Sequence, residues 1–160
     1  MFSFGRLSFT PTFLRSRLAV APKGKVYAVD IAEDILGYLR EEARKQNLNN
    51  IEIVVSKEDD PMLAEGTLDL AFFADTAHHI ANRVQFYRKV STALKKDGRM
   101  AILDIPPVAY ERGLCPHKPE ELVSREQAIN EAEEAGFKLI NEFKFLQEDR
   151  SYFLLFQKRD

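Results

Sequence analysis

Two short stretches of this chain carry residues able to do chemistry. Lys25-Val26-Tyr27-Ala28-Val29-Asp30-Ile31 is an apolar run that ends on an acid, with a helical pattern directly after it. Open α/β sheets bind ligands outside the carboxyl ends of their strands, so Asp30 stands where one carboxylate can accept both hydroxyls of a ribose. Its other possible role is an acid that merely begins the next helix. Asp75-Thr76-Ala77-His78-His79 follows a second apolar run. A histidine there titrates near neutral pH and can take a proton from an acceptor hydroxyl. For His79, packing at a helix start stands beside that catalytic role. The pair is not read as a metal site, since adjacent side chains diverge and no further ligand spacing appears. Ser56-Lys57-Glu58-Asp59-Asp60 is an acidic loop, either a ligand contact or a solvated turn. Asp104, ahead of Pro106-Pro107, reads as a strand terminator.

The elements that must position these groups follow from periodicity. Pro22-Lys23-Gly24 is a turn signal launching a strand over Lys25–Asp30. From Glu33, apolar residues at Ile35, Leu36, Leu39, Ala43 and Leu48 give one helix face, and Asn47, Asn49 and Asn50 close it. Ile51–Val55 is β-branched and strand-like. Leu68–Ala74, apolar apart from Asp69, reads as a buried strand. Helical spacing resumes with Phe86, Val90, Ala93 and Leu94, Asp97-Gly98 is a turn, and Met100–Ile105 is the next strand. The segment from Pro106 to Val123 holds four of the seven prolines, and reads as a mobile loop over one end of the sheet. Ser124-Arg125-Glu126-Gln127 has the form of a capping box, and Gly136 ends the helix it starts. Phe137–Phe145 and Tyr152–Gln157, linked by the polar stretch Gln147–Ser151, pair naturally as an antiparallel hairpin.

Strands alternating with helices imply a mainly parallel sheet covered on both faces, with an antiparallel end. The series KVYAVDI, NIEIVV, LDLAFFADTAHH, DGRMAILDIPP, then a helix ending Glu134-Ala135-Gly136-Phe137 ahead of a hairpin, resembles the class I S-adenosylmethionine-dependent methyltransferases from their second strand onward. The resemblance runs from Lys23 to Lys158. It implies a three-layer Rossmann-like α/β fold, S-adenosylmethionine as cofactor and a small-molecule acceptor. It further implies that Asp30 holds the ribose, that Ile31 packs on the adenine face, and that Ser56, Glu58 and Asp59 lie beside the adenine amino group. Ala74 and Asp75 would lie near the donor's amino-acid end, with His78 and His79 as candidate bases.

The family's first strand and glycine-rich loop should precede Lys25, yet before Pro22 the chain offers a single glycine, Gly5. Residues 1–22 are therefore read as an atypical N-terminal segment and 23–160 as the methyltransferase-like domain, with the first strand absent or atypical. Three accounts follow: a truncated or misread methyltransferase, a degenerate domain that binds a partner, or an N-terminus that rebuilds the strand. Loss of that strand would split the sheet and leave an apolar edge through which copies of the chain could associate. A non-catalytic interaction module is thus the alternative function. A nicotinamide-cofactor enzyme would use Asp30 equally, but the terminal hairpin and the lack of G-x-G-x-x-G argue against it.

Composition excludes more than it assigns. The 160 residues are 45% hydrophobic and 30% charged, with net charge −2 and pI near 6.0, which gives no general affinity for nucleic acid or anionic membrane. Cys115 is the sole cysteine, so there is no internal disulfide framework and no thiolate-rich zinc site. No apolar run reaches the roughly 20 residues of a membrane span. The expected compartment is the cytoplasm. An organelle is the alternative, because Met1 to Val29 is basic, hydroxyl-rich and free of acids, as transit peptides are.

Overall fold

The computed structural model describes residues 23–145 and 150–159. The expectations for residues 1–22 (an atypical segment, a targeting peptide or a rebuilt strand) therefore fall outside the described residues. The elements run β1 (Val26–Asp30), α1 (Glu33–Lys45), β2 (Ile51–Val55), β3 (Leu68–Ala74), α2 (Arg83–Ala93), β4 (Leu94–Asp104), the one-turn helix α3 (Val108–Glu111), α4 (Arg125–Glu134), β5 (Phe137–Glu142) and β6 (Tyr152–Lys158). Single 3₁₀ turns at Ala77–His79 and Pro119–Glu121 complete the set.

Among the described residues, backbone hydrogen bonds tie the strands into two sheets. One is the parallel pair β1–β2; the other has the order β3-β4-β6-β5, with β3 and β4 parallel and β6 antiparallel to both of its neighbours. This is the mixed α/β architecture that the resemblance implies. The two sheets share a core, since Val29 of β1 is buried in the same cluster as Leu68, Phe73 and Ala77. That contact brings the carboxyl ends of β1 and β3 towards one another.

Local sequence explains the elements. In α1, Glu33 and Asp34 sit in the first turn and Arg44 and Lys45 in the last, matching both ends of the helix dipole. Leu36, Leu39 and Ala43 bury one face against β1 and β2, worth about 1.5–3 kcal/mol for each leucine removed from water. Asn47, at φ 54°, turns the chain so that Leu48 can tuck in behind. At α4, Ser124 Oγ accepts the Gln127 amide as expected, whereas the Gln127 side chain donates to Glu131 instead of closing the box. Gly136, at φ 92°, stops the helix.

One boundary differs from expectation. The strand β4 begins at Leu94, directly after α2, not at Met100. Leu94 pairs with Leu68, yet the next pairing joins Leu70 to Arg99, so the residues between Leu94 and Arg99 loop out of the ladder. The turn foreseen at Asp97-Gly98 is this loop-out. It needs glycine, because a Cβ at Gly98 would lie 2.9 Å from both the Leu94 side chain and the Lys95 carbonyl oxygen. The proline-rich segment is also more ordered than expected: Ala109, Leu122 and Val123 are buried, and Tyr152 Oη donates to the Val123 carbonyl at 3.2 Å. Among the described residues no helix is long and apolar enough to cross a membrane.

Candidate active site at the carboxyl ends of the strands

Asp30 ends β1 as a buried carboxylate, and the next side chain, Ile31, is 55% exposed. The Ala32 amide donates to Asp30 Oδ1 at 2.9 Å, which orients the carboxylate at the start of α1. A carboxylate offers about four lone-pair sites, so a buried carboxylate at this strand end can accept several donors at once. The Ser56 amide donates to the Asp30 carbonyl at 2.9 Å and so fastens the loop after β2 against the end of β1. The Lys57 amide donates to Asp60 O at 2.8 Å. Both amides are thus spent within the protein and cannot serve a bound base. Glu58 and Asp59 are exposed at the tip of the same loop. The structure therefore brings Asp30, Ile31 and Ser56 together, with the two loop acids further out.

The second half of the site forms where β3 and β4 end side by side. Ala74 pairs with Leu103, and the Asp75 amide extends the ladder by donating to the Leu103 carbonyl at 2.8 Å. Asp75 then takes φ 54°, a left-handed conformation that aspartate tolerates better than most residues, and the strand stops. Thr76 Oγ1 donates to the Ala74 carbonyl at 2.9 Å, closing the turn that leads into Ala77–His79. Asp75 Oδ1 is buried and has no hydrogen-bond partner. Burial first, and the nearby Asp104 charge second, push its pKa up.

Asp104 is the residue that sequence reasoning undervalued. It is almost wholly buried, and it does more than end a strand: its carboxylate accepts three protein donors. The Ile105 amide reaches Oδ1 at 2.8 Å, the His78 amide reaches Oδ2 at 3.2 Å, and His78 Nδ1 lies 2.6 Å from Oδ1. With Asp104 on Nδ1, the neutral His78 ring carries its proton there and leaves the Nε2 lone pair available. Nε2 is itself buried and unpartnered. Burial works to lower the His78 pKa, but the hydrogen bond to Asp104 and the charges of Asp104 and Asp75 outweigh it, and the value is raised. The clue was legible: β3 and β4 are parallel neighbours, so an acid closing β4 abuts whatever follows β3.

His78 and His79 do not diverge as expected. Their ring centroids are 4.0 Å apart, because side chains of this length can lean together by χ1 rotation even from adjacent residues. His117, carried over the sheet end by the proline-rich segment, adds a third ring at 5.0 Å from His78 and 5.6 Å from His79. Burial, then the neighbouring His78 and His117, lower the His79 pKa, so this exposed imidazole is neutral at neutral pH. Sequence spacing alone did not couple His117 to the pair. Its only signal was a histidine in a loop expected to cross the carboxyl edge.

Supporting contacts hold this edge in place. Arg83, at the first turn of α2, donates to Glu131 of α4 through Nε at 2.5 Å and Nη2 at 3.0 Å, and its Nη1 donates to the Ile80 carbonyl at 2.9 Å. One side chain thus fixes the end of the histidine turn to both helices. A cavity of about 540 Å³ opens beyond β4, lined by Pro106, Pro107, Val108, Ser124 and Tyr152 among others, with the Arg125–Glu142 ion pair on its wall. None of the histidines and none of the carboxylates ending β1, β3 and β4 lines it.

Comparison with known proteins agrees with this fold. The family model described as a methyltransferase domain matches residues 11–136, most of the chain. An S-adenosylmethionine-dependent methyltransferase from Aquifex aeolicus is 25% identical and superposes with a TM-score of 0.84, over 98% of this chain and 80% of that one. A second such enzyme, from Mesorhizobium loti, shares the fold at 13% identity and a TM-score of 0.73, over 98% and 89% of the two chains. The trans-methyltransferase CalH, solved in complex with SAH (S-adenosylhomocysteine), shares it at 16% identity and 0.73, over 98% of this chain and 50% of its own. With strand series, closing hairpin and family match in accord, the chain belongs to the class I S-adenosylmethionine-dependent methyltransferases.

Proposed function

We propose that this chain transfers a methyl group from S-adenosylmethionine to a small-molecule acceptor carrying a protonated oxygen, nitrogen or sulfur. The observation that carries the reading is that two strands sharing one core end on the Asp30–Ile31 step and on the unsatisfied Asp75 carboxylate oxygen. The residues fit the donor's chemistry. Asp30 offers charged acceptors for the ribose hydroxyls, the exposed Ile31 an apolar face for adenine, and Ser56, Glu58 and Asp59 the border of the base. Asp75 Oδ1 is an acceptor held in wait for a cationic donor, as the ammonium group of an amino acid is, with the Ala74 carbonyl beside it.

The bound donor supplies a methyl group made electrophilic by a sulfonium. The acceptor lone pair forms the new bond to that carbon, the carbon–sulfur pair stays on sulfur, and S-adenosylhomocysteine is left. Such a displacement needs alignment above all, so a protein that only fixes both reactants already supplies most of the catalysis. The protein's chemical task is to receive the acceptor's proton. His78, oriented by Asp104, and His79 beside it are the candidate bases for this step. That the acceptor is a small molecule and that the compartment is the cytoplasm are expectations from the sequence that this proposal carries forward. The same holds for the division into segment 1–22 and domain 23–160.

Incubation of the chain with methyl-labelled S-adenosylmethionine and a panel of hydroxyl, amine and thiol acceptors tests the reading. Labelled product should form with at least one class, and His78→Ala with His79→Ala should remove it for acceptors that must lose a proton. Binding of the donor without transfer to any class would favour a non-catalytic module built on the same fold.

A further inference from the structure

We propose that His78, His79 and His117 form a binding site for one divalent transition-metal ion of the zinc class. One ring nitrogen from each of the three lies within 4.8 Å of the others. A tetrahedral ion at about 2.1 Å from each imidazole nitrogen spaces its ligand atoms about 3.4 Å apart. Small rotations of the exposed His79 and the half-exposed His117 close that gap, whereas His78 is already fixed.

Two observations beyond the cluster itself point to an ion. First, His78 Nε2 is buried with no hydrogen-bond partner, on a side chain that is only 1% exposed. A buried nitrogen lone pair left unsatisfied is costly, and coordination would satisfy it. Second, the opposite nitrogen of the same ring is held by Asp104 at 2.6 Å. Metal-binding histidines nearly always carry such a carboxylate or carbonyl on the far nitrogen, which fixes the tautomer and makes the ligand more basic. A histidine that was only a core filler would also need a partner for Nδ1, but it would not leave Nε2 unpaired.

The surroundings suit a cation. Asp104 and Asp75 lie on the buried side, and Asp75, His78 and Asp104 also place ligand atoms within 4.8 Å of one another. Three imidazole nitrogens favour zinc-class ions over magnesium or calcium, which prefer oxygen. Three protein ligands leave one coordination position open, the pattern of catalytic rather than structural sites. Under the methyl-transfer reading, on which this clause rests, that position would take the acceptor's oxygen or sulfur. The ion would then lower the acceptor's pKa, so that its proton leaves to water. The ion and a proton compete for the same Nε2, so metal activation replaces imidazole base catalysis rather than adding to it.

The test uses the full chain after chelator treatment and dialysis. Zn²⁺ is titrated by calorimetry, and Co²⁺ is followed by the visible absorption of a four-coordinate ion. One ion per chain is expected, with affinity falling at least tenfold in His79→Ala and in His117→Ala. Asp104→Asn should lose about 10–100-fold through the weakened second nitrogen. Replacing buried His78 risks unfolding, so the two accessible histidines and Asp104 carry the decision. Absence of saturable binding overturns the site, as does binding unchanged in the His79→Ala/His117→Ala double variant. No adenosyl ligand is present, so failure here leaves donor binding untouched, and loss of donor binding leaves this site standing.

Discussion

Replacing Asp30 with alanine should weaken binding of S-adenosylhomocysteine far more than it weakens the fold. The carboxylate is buried at the end of β1 and already accepts the Ala32 amide at 2.9 Å. Bound ribose would add two hydroxyl donors to it, each a charge-assisted bond of about 1.5–3 kcal/mol. Taking the lower end gives about 3 kcal/mol, or a loss of about 100–200-fold in affinity. Asp30→Asn keeps one neutral acceptor and should lose about tenfold. The cost to stability is the amide acceptor at the start of α1, about 1 kcal/mol, which lowers Tm by about 2–4 °C in a chain of this size. Calorimetry with S-adenosylhomocysteine and a thermal melt of the same preparation separate the two effects. A Kd within about threefold of the parent, under 1 kcal/mol, would refute the ribose assignment and leave Asp30 as a helix-start residue.

Three further outcomes follow from the packing. Gly98→Ala should destabilise by about 1–3 kcal/mol in urea unfolding, since its Cβ would meet a backbone carbonyl that cannot swing aside; an unchanged midpoint would mean the loop-out in β4 relaxes freely. Arg83→Leu should cost about 1–3 kcal/mol by leaving the partly buried Glu131 with only its Gln127 donor, and the Arg83→Leu/Glu131→Leu double variant should recover part of that loss; equal losses in both would place the cost in the bond from Arg83 to the Ile80 carbonyl instead. In acid, the bond from Arg125 holds the Glu142 pKa at about 2, below its ordinary 4.5, and Arg83 lowers Glu131 against its burial. A depressed folded-state pKa means stability that is complete above about pH 4.5 and lost as pH falls through about 2. Arg125→Gln should therefore move the acid-unfolding midpoint upward, and an unmoved midpoint would contradict the assignment.

How much of this was readable beforehand varied by residue. Ile51–Val55 and Leu68–Ala74 were placed to the residue, because β-branched and apolar runs, each broken by a single acid and bounded by polar turns, read as strands. Asp30 and Ile31 were equally legible, since a strand followed at once by an acid and a helix fixes the sheet edge. The histidine site was only half visible. His78 and His79 announced themselves, but their convergence depends on side-chain rotamers, and His117 reaches them only through tertiary packing of a loop. Asp104 was set aside as a terminator because its partner lies on the neighbouring strand end, and pairing register is not written locally. The start of β4 was misplaced for a similar reason. Asp97-Gly98 does make a turn, but the ladder resumes on both sides of it.

Calorimetric titration of the full chain with S-adenosylhomocysteine is the sharpest test of a donor site built from Asp30, Ile31 and Asp75. Saturable one-to-one binding, weakened in Asp30→Ala, is the predicted result. A cooperatively folded chain that gives no binding heat at any temperature, and no ligand-dependent rise in Tm, would contradict it.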